Sequence, residues 1–197
     1  MKKTISFVRT FIPADLFKKE YALGGLTIYH IDEQLNVEMS AYECWECSVR
    51  SGEYTQDEVM AAFEEFKAKL AASELATTKA QKIAEIEAYD TSSAVNGFIL
   101  NGQRVWLDFE LRDRVYQGNE RLQRIGRTDT TLWLGKQCYN LSIEQAQNII
   151  SHIEAYAKDC YNVTAAHKKA VSELNSIEEV EKYDITAGYP AQLKMEV

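Results

Sequence analysis

The stretch Thr55-Gln56-Asp57-Glu58-Val59-Met60-Ala61-Ala62-Phe63-Glu64-Glu65-Phe66-Lys67-Ala68-Lys69-Leu70 decides the fold, because the hydropathy period changes there. Before it, apolar residues alternate; from Thr55 onward they recur with a period near that of a helix. Thr55 followed three residues later by Glu58 is a capping-box signature. Val59, Phe63, Phe66 and Leu70 then come at spacings of four, three and four, which places them on one helical face. Past Leu70 the same seam meets Ser73 and Thr77, so the apolar stripe fails. About two heptads fall short of a coiled coil. Phenylalanines also suit packing on a sheet better than a narrow two-helix seam. The expectation is a helix folded back on the strands before it. A sheet of about 50 residues on its own is marginal, and the helix supplies its missing apolar partner.

Working back from Thr55, residues 4–12 alternate apolar and polar at Ile5, Phe7 and Phe11, and Pro13 and Asp15 stop the run. Gly24-Gly25 precedes a β-branched and aromatic run at 26–31. Residues 32–36 read as a turn and 37–49 as a third strand region. Short strands separated by turn signals predict a small antiparallel sheet.

Working forward, Thr77-Thr78 reads as a hinge or a second helix start, and the domain boundary is placed near residue 78. A second stripe, Ile83 and Ile86, runs to a polar turn at Tyr89-Asp90-Thr91-Ser92-Ser93. Phe98-Ile99-Leu100-Asn101-Gly102-Gln103-Arg104-Val105-Trp106 is the strongest local signal, since Asn-Gly tolerates the positive φ that a type I′ hairpin requires. Asp108 can cap a helix carrying Leu111, Val115, Leu122 and Ile125, with Gly118 weakening its middle. Residues 130–141 read as one strand or a second hairpin around Gly135-Lys136. Ser142 with Gln145 opens a helix burying Ala146, Ile149, Ile150, Ile153, Tyr156 and Ala157. Asn162-Val163-Thr164 reads as the start of another, and Ser176 with Glu179 as a further capping box before Val180 and Tyr183. From Gly188-Tyr189-Pro190 the tail reads as extended. Ile86-Glu87-Ala88-Tyr89-Asp90 is echoed by Val180-Glu181-Lys182-Tyr183-Asp184, which we read as repeated capping chemistry rather than a solenoid. The predicted class is α+β: a small antiparallel sheet with a covering helix over residues 1–78, joined to a helical domain, 79–197, carrying one or two β-hairpins.

The 197 residues are 46% hydrophobic, enough for a sizeable core, and Lys plus Arg number 22 against 30 Asp plus Glu, a formal charge of −8. That balance argues against a protein built to neutralise phosphates. No apolar run reaches the length of a membrane span. The opening Met1-Lys2-Lys3-Thr4-Ile5-Ser6-Phe7-Val8-Arg9 is not expected to act as a signal peptide, since Arg9 interrupts its apolar stretch and no small-residue cleavage site follows. Reduced cysteines are therefore expected. Two Pro and nine Gly argue against disordered and fibrous classes.

Cys44-Trp45-Glu46-Cys47 is a C-x-x-C, open to redox, zinc or structural readings. Redox pairs sit at helix N-termini, where the dipole favours thiolate. This one falls in a strand, where i and i+3 point to opposite faces. Zinc needs two further ligands at workable spacing, and Cys138, Cys160, His30, His152 and His167 are scattered singly. The structural reading is preferred. A Cys160–His167 pairing is conceivable in space, but no H-E-x-x-H, nucleophile elbow, P-loop or G-x-G-x-x-G occurs. Glu58, Glu64, Glu65 and Glu74 read as solvated helical surface. Arg104, Arg112, Arg114, Arg121, Arg124 and Arg127, near Trp106, Tyr116 and Trp133, allow a nucleic-acid or anionic-ligand reading. Asp108, Glu110, Asp113, Glu120 and Asp129 interleave with them, and i,i+4 ion pairs are the plainer account. The sequons at Asn140 and Asn162 carry no weight without secretion. No catalytic, cofactor-binding or metal-binding residue is assigned, and no cofactor.

Residues from about 79 onward resemble a domain family of unknown biochemical function found in phage and prophage tail-region proteins of gut bacteria. The likeness runs through Ile83 to Ser92, Val95-Asn96-Gly97-Phe98, Asn101-Gly102, Trp106-Leu107-Asp108 with Arg112, and Thr130-Thr131-Leu132-Trp133. It continues through Tyr156-Ala157, Cys160 to His167, Glu178-Glu179-Val180, and Tyr183 to Pro190. The resemblance implies a structural or adaptor protein of a phage tail, not an enzyme, held by contacts with other tail or virion proteins. It would reside in the host cytoplasm during assembly and then in the particle. A tail-fibre assembly chaperone is the alternative, and a small hydrolase without recognisable motif a third. No nucleic-acid partner is expected. Self-association through exposed aromatic surface or free strand edges is. Residues 1–78 carry no resemblance and read as the variable part to which such domains attach; Trp45, Trp106, Trp133 and the many Tyr and Phe could anchor interfaces as well as cores.

Overall fold

The computed structural model describes residues 5–23, 26–50, 55–134 and 136–197. Their contacts divide the chain into two compact units, Met1–Glu74 and Leu75–Val197.

In the first unit, β1 (Ser6–Pro13), β2 (Glu20–Leu23), β3 (Leu26–Asn36) and β4 (Ala41–Arg50) form an antiparallel sheet in the order β1-β4-β3-β2. Pairing β1 with β4 puts β1 and β2 at opposite edges, so the 14–19 connection has to cross the sheet. Phe17 lands on that crossing, its ring 4.2 Å from Tyr42 and 5.6 Å from His30. The other face is covered by α1 (Gln56–Asp90). Phe63 and Phe66 of this helix pack on Phe7 and Trp45 at centroid distances of 5.0–5.9 Å. Val59 packs on Cys47, and Val59, Phe63 and Cys47 are fully buried. The covering helix is thus where its stripe required.

Thr55 and Glu58 form the capping box: the Thr55 N–H donates to Oε2 of Glu58 at 2.7 Å, and the Glu58 N–H to Oγ1 of Thr55 at 3.3 Å. Two local expectations fail. The turn read at 32–36 lies instead at 37–40, where Oδ1 of Asn36 accepts the Glu38 and Met39 N–H groups and Ser40 takes φ 50°. Strand β3 runs on to Asn36, and a register shift between Ile31 and Gln34 absorbs the polar pair that resembled a turn. Nor does the helix break at Thr77-Thr78. Residues 71–80 contain alanines but neither Gly nor Pro, so the loss of the apolar seam changes which side is buried without ending the hydrogen-bond ladder. The Gly24-Gly25 turn lies outside the described residues.

In the second unit, β5 (Phe98–Leu100) and β6 (Gln103–Val105) form the expected hairpin, with Asn101 at φ 47° and Gly102 at φ 77°. Asp108 caps α2 (Phe109–Arg124), its Oδ1 accepting the Leu111 N–H at 2.8 Å. A second hairpin joins β7 (Asp129–Leu134) to β8 (Gln137–Ser142); Gly135, between them, lies outside the described residues. Ser142 and Gln145 cap α3 (Ile143–Glu173), and Ser176 and Glu179 cap α4 (Ile177–Glu181), both with complete capping boxes.

Helix α3 does not restart at Asn162. Thr164 is buried inside it, and its hydroxyl bonds across the fold rather than to a helix end. Ile125, expected within α2, is its C-cap and is 75% exposed. The tail is extended as expected, and β9 (Lys194–Met195) adds parallel to β5, giving the order β6-β5-β9. Oδ1 of Asn101 accepts the Val197 N–H at 3.0 Å, so the turn residue also holds the tail. The core gathers Phe98, Leu100, Leu132, Leu134, Ile149, Ile150 and Ile153 between the hairpins and α3. A second cluster sets Ile86 of α1 and Val171 of α3 around Val180 of α4.

Candidate functional site

Cys44 and Cys47 are both buried, on opposite faces of β4. Cys47 lies under α1 and Cys44 faces the side crossed by Phe17. Burial pushes the Cys47 thiol up to about 11, the reverse of what a redox nucleophile needs. Among the described residues, no three His, Cys, Asp or Glu side chains gather as metal ligands.

Cys160 and His167 are not partners. Seven residues apart on α3, they stand about 10 Å apart along its axis. Cys160 packs with Tyr156 and Val95, and burial raises its thiol. Tyr156 donates its hydroxyl to the Val95 carbonyl at 3.1 Å, and burial holds it up to about 12. Nε2 of His167 lies 2.8 Å from the Ala187 carbonyl, which only accepts, so Nε2 carries the proton. Nδ1 lies 2.8 Å from the Tyr183 hydroxyl, and Tyr189 stacks on the ring at 5.7 Å. The Thr164 hydroxyl donates to Oδ1 of Asp90 at 2.6 Å and meets the Tyr189 hydroxyl at 2.8 Å. Asp90, Thr164, His167, Tyr183 and Tyr189, far apart in sequence, thus meet in one polar cluster. It binds the segment after α4 to α3, with both nitrogens of the imidazole committed to that task. Of the other histidines, His30 is buried in β3 with Nδ1 against the Lys18 carbonyl. His152 is exposed on α3.

The arginines are largely tied down. Arg104 donates to the Ser93 carbonyl, Arg124 lies 3.9 Å from Glu120 and Arg127 2.8 Å from Asp129. Arg114 and Arg121 share a shallow surface with Glu110 and Asp113. Arg112 differs, being 6% exposed. Its Nε donates to Glu154 at 2.7 Å and its Nη1 to the Leu107 carbonyl at 2.6 Å. The guanidinium lies 5.4 Å from the Trp106 ring and 6.0 Å from that of Phe109. This ion pair, buried on the Arg112 side and exposed on the Glu154 side, ties the start of α2 to α3.

Around it opens a groove of about 450 Å³. Phe109, Arg112, Asp113 and Tyr116 line it from α2, and Ile150, Ser151 and Glu154 from α3. The α2 residues fall on one helical face because they recur at three and four. Phe109 is 65% exposed and Tyr116 37%, whereas Ile150 at the floor is buried. Aromatic walls over an apolar floor, with carboxylates at the rim and an immobilised arginine between, can take a side chain of another protein. Sequence reasoning named Tyr116 only as a neighbour of the arginine cluster and passed over Phe109, because it sought the apolar stripe of α2. The available signal was two aromatics seven residues apart, off that stripe.

No family model matches the chain, and no curated protein or solved structure matches it. Among the described residues, no helix is long and apolar enough to cross a membrane.

Proposed function

We propose that this chain is a structural or adaptor protein of the tail region of a phage or prophage, working through protein–protein contacts and not as an enzyme. The observation that supports the contact part is the α2–α3 groove, with Phe109 and Tyr116 exposed over the buried Ile150 and an arginine already neutralised by Glu154. Exposed aromatics set around a fixed polar group are the usual anchors of an interface. The tail context is supported by the resemblance of residues 79–197. Asp90, Thr164, His167, Tyr183 and Tyr189, all within that resemblance, meet in one cluster, which gives the ordered set a structural reason.

On this reading the partners are other tail or virion proteins, and the chain passes from the host cytoplasm into the particle. The test is mass spectrometry of purified particles. The chain is expected at fixed stoichiometry, and Phe109→Ala with Tyr116→Ala should lower its incorporation while leaving its fold intact by circular dichroism. A chain bound to a fibre during assembly but absent from finished particles would make it a chaperone instead. Normal incorporation of the double variant would remove the groove from the interface.

A further inference from the structure

We propose that the long free edge of the first unit's sheet, β1, pairs antiparallel with β1 of a second copy, with Thr10 on the two-fold axis. Among the described strands β1 pairs with β4 alone, so its outer row of backbone N–H and C=O groups has no strand partner. The opposite edge, β2, is four residues long against eight for β1. An unprotected long edge is a template for another strand, and proteins usually blunt one with lysines, inward charges or a covering segment. Strand β1 has little of this: it carries one charge, Arg9, and no lysine, and its one proline, Pro13, is at its end. Val8 is 61% exposed and Phe11 47%, and alternation puts them on opposite faces, so apolar surface flanks the edge on both sides.

Symmetry and charge then choose the register. Antiparallel strands of two identical sheets joined edge to edge are related by a two-fold axis perpendicular to the sheet. Like faces stay on one side, so each residue must oppose one of its own parity. Two registers give the longest overlap. One is centred on Arg9 and pairs residues 6–12; the other is centred on Thr10 and pairs 7–13. Centring on Arg9 sets two guanidinium groups directly opposite, which is unfavourable. Centring on Thr10 opposes Thr10 to itself, Val8 to Ile12, and Arg9 to Phe11, where a cation meets an aromatic face. Each unlike pair occurs twice by symmetry, which makes the edge complementary to itself. Strand β1 itself carries no acid, so no carboxylates of the two strands meet across the contact.

The test uses the full chain with Cys138→Ser, which removes the exposed thiol. Sedimentation should give a dimer, and Thr10→Lys should give a monomer with an unchanged circular dichroism spectrum. Under mild oxidation, Thr10→Cys should yield about tenfold more disulfide-linked dimer than Arg9→Cys, because only residues facing each other across the axis bring their Cα atoms within bridging range. A monomer at about 100 μM would overturn the proposal, since a dissociation constant weaker than that is no specific contact. Linkage of Arg9→Cys equal to or above that of Thr10→Cys would overturn the register, and the cysteine pair gives this answer even if Thr10→Lys fails to fold.

Discussion

Gly102 and Gly118 separate two meanings of glycine. At Gly102 φ is +77° and nothing lies within 4 Å of an added Cβ, so a side chain there meets backbone strain and no clash. Gly102→Val should therefore cost the second unit about 1–2 kcal/mol, the penalty of the left-handed region. Gly118 also has open space but sits inside α2 without positive φ. Gly118→Ala should raise stability by about 1 kcal/mol through helix propensity. Thermal unfolding of both variants checks the opposite signs, and an unchanged midpoint for Gly102→Val would refute the turn. The thiols make a second prediction. With Cys44, Cys47 and Cys160 buried and Cys138 exposed, a thiol reagent at pH 8 should modify one cysteine quickly and the rest only on unfolding. Burial raises Cys47 from its ordinary value near 9 to about 11, so the native state holds a proton that the unfolded chain releases. That contribution is intact below pH 9 and is lost as pH rises through 11, so Cys47→Ala should flatten the alkaline fall in stability. Elemental analysis should find zinc well below one per chain.

The Val59, Phe63, Phe66 stripe of α1 carries the element-scale prediction. Phe63 is fully buried against Phe7 and Trp45, and Phe63→Ala should cost about 3–5 kcal/mol. Denaturant melts followed by Trp45 fluorescence should show the loss, while Trp106 and Trp133 in the second unit report an unmoved transition. Dissociation of an oligomer without destabilisation would contradict the packing. The elements that sequence reading located were those written within a few residues. Thr55 with Glu58, Ser142 with Gln145, Ser176 with Glu179, Asp108 and Asn101-Gly102 each make their decisive bond locally. Elements fixed from a distance were missed. Strand β9 exists because β5 lies beside it, and Thr164 is helical while its hydroxyl is satisfied by Asp90, 74 residues away. The groove was illegible for a different reason: Phe109 is an apolar residue that the fold leaves exposed, hydropathy assigns such residues to the core, and Tyr116 was weighed only with the arginines.

For the whole chain, the position of Leu75 decides where it can be cut. Leu75 packs with the cluster of Ile86, Val171 and Val180, so it belongs with the second unit although it lies before the change of stripe at Thr77. A fragment of residues 75–197 should melt higher than one of 79–197, by about 1–2 kcal/mol for a partly buried leucine. Equal melting points would show that the leucine contributes nothing there. The parallel pairing of β9 with β5 also sets an order in time. Ile99 opposes Lys194 and Leu100 opposes Met195, so the sheet under the first hairpin cannot close until residue 195 has left the ribosome. The first unit, whose sheet and the turns of α1 that cover it lie before residue 75, has no such wait. Synthesis from the N-terminus thus completes one unit while the other still lacks its last strand. During that interval the open side of β5 must be kept from foreign strands, and a pause or truncation late in translation would leave it exposed.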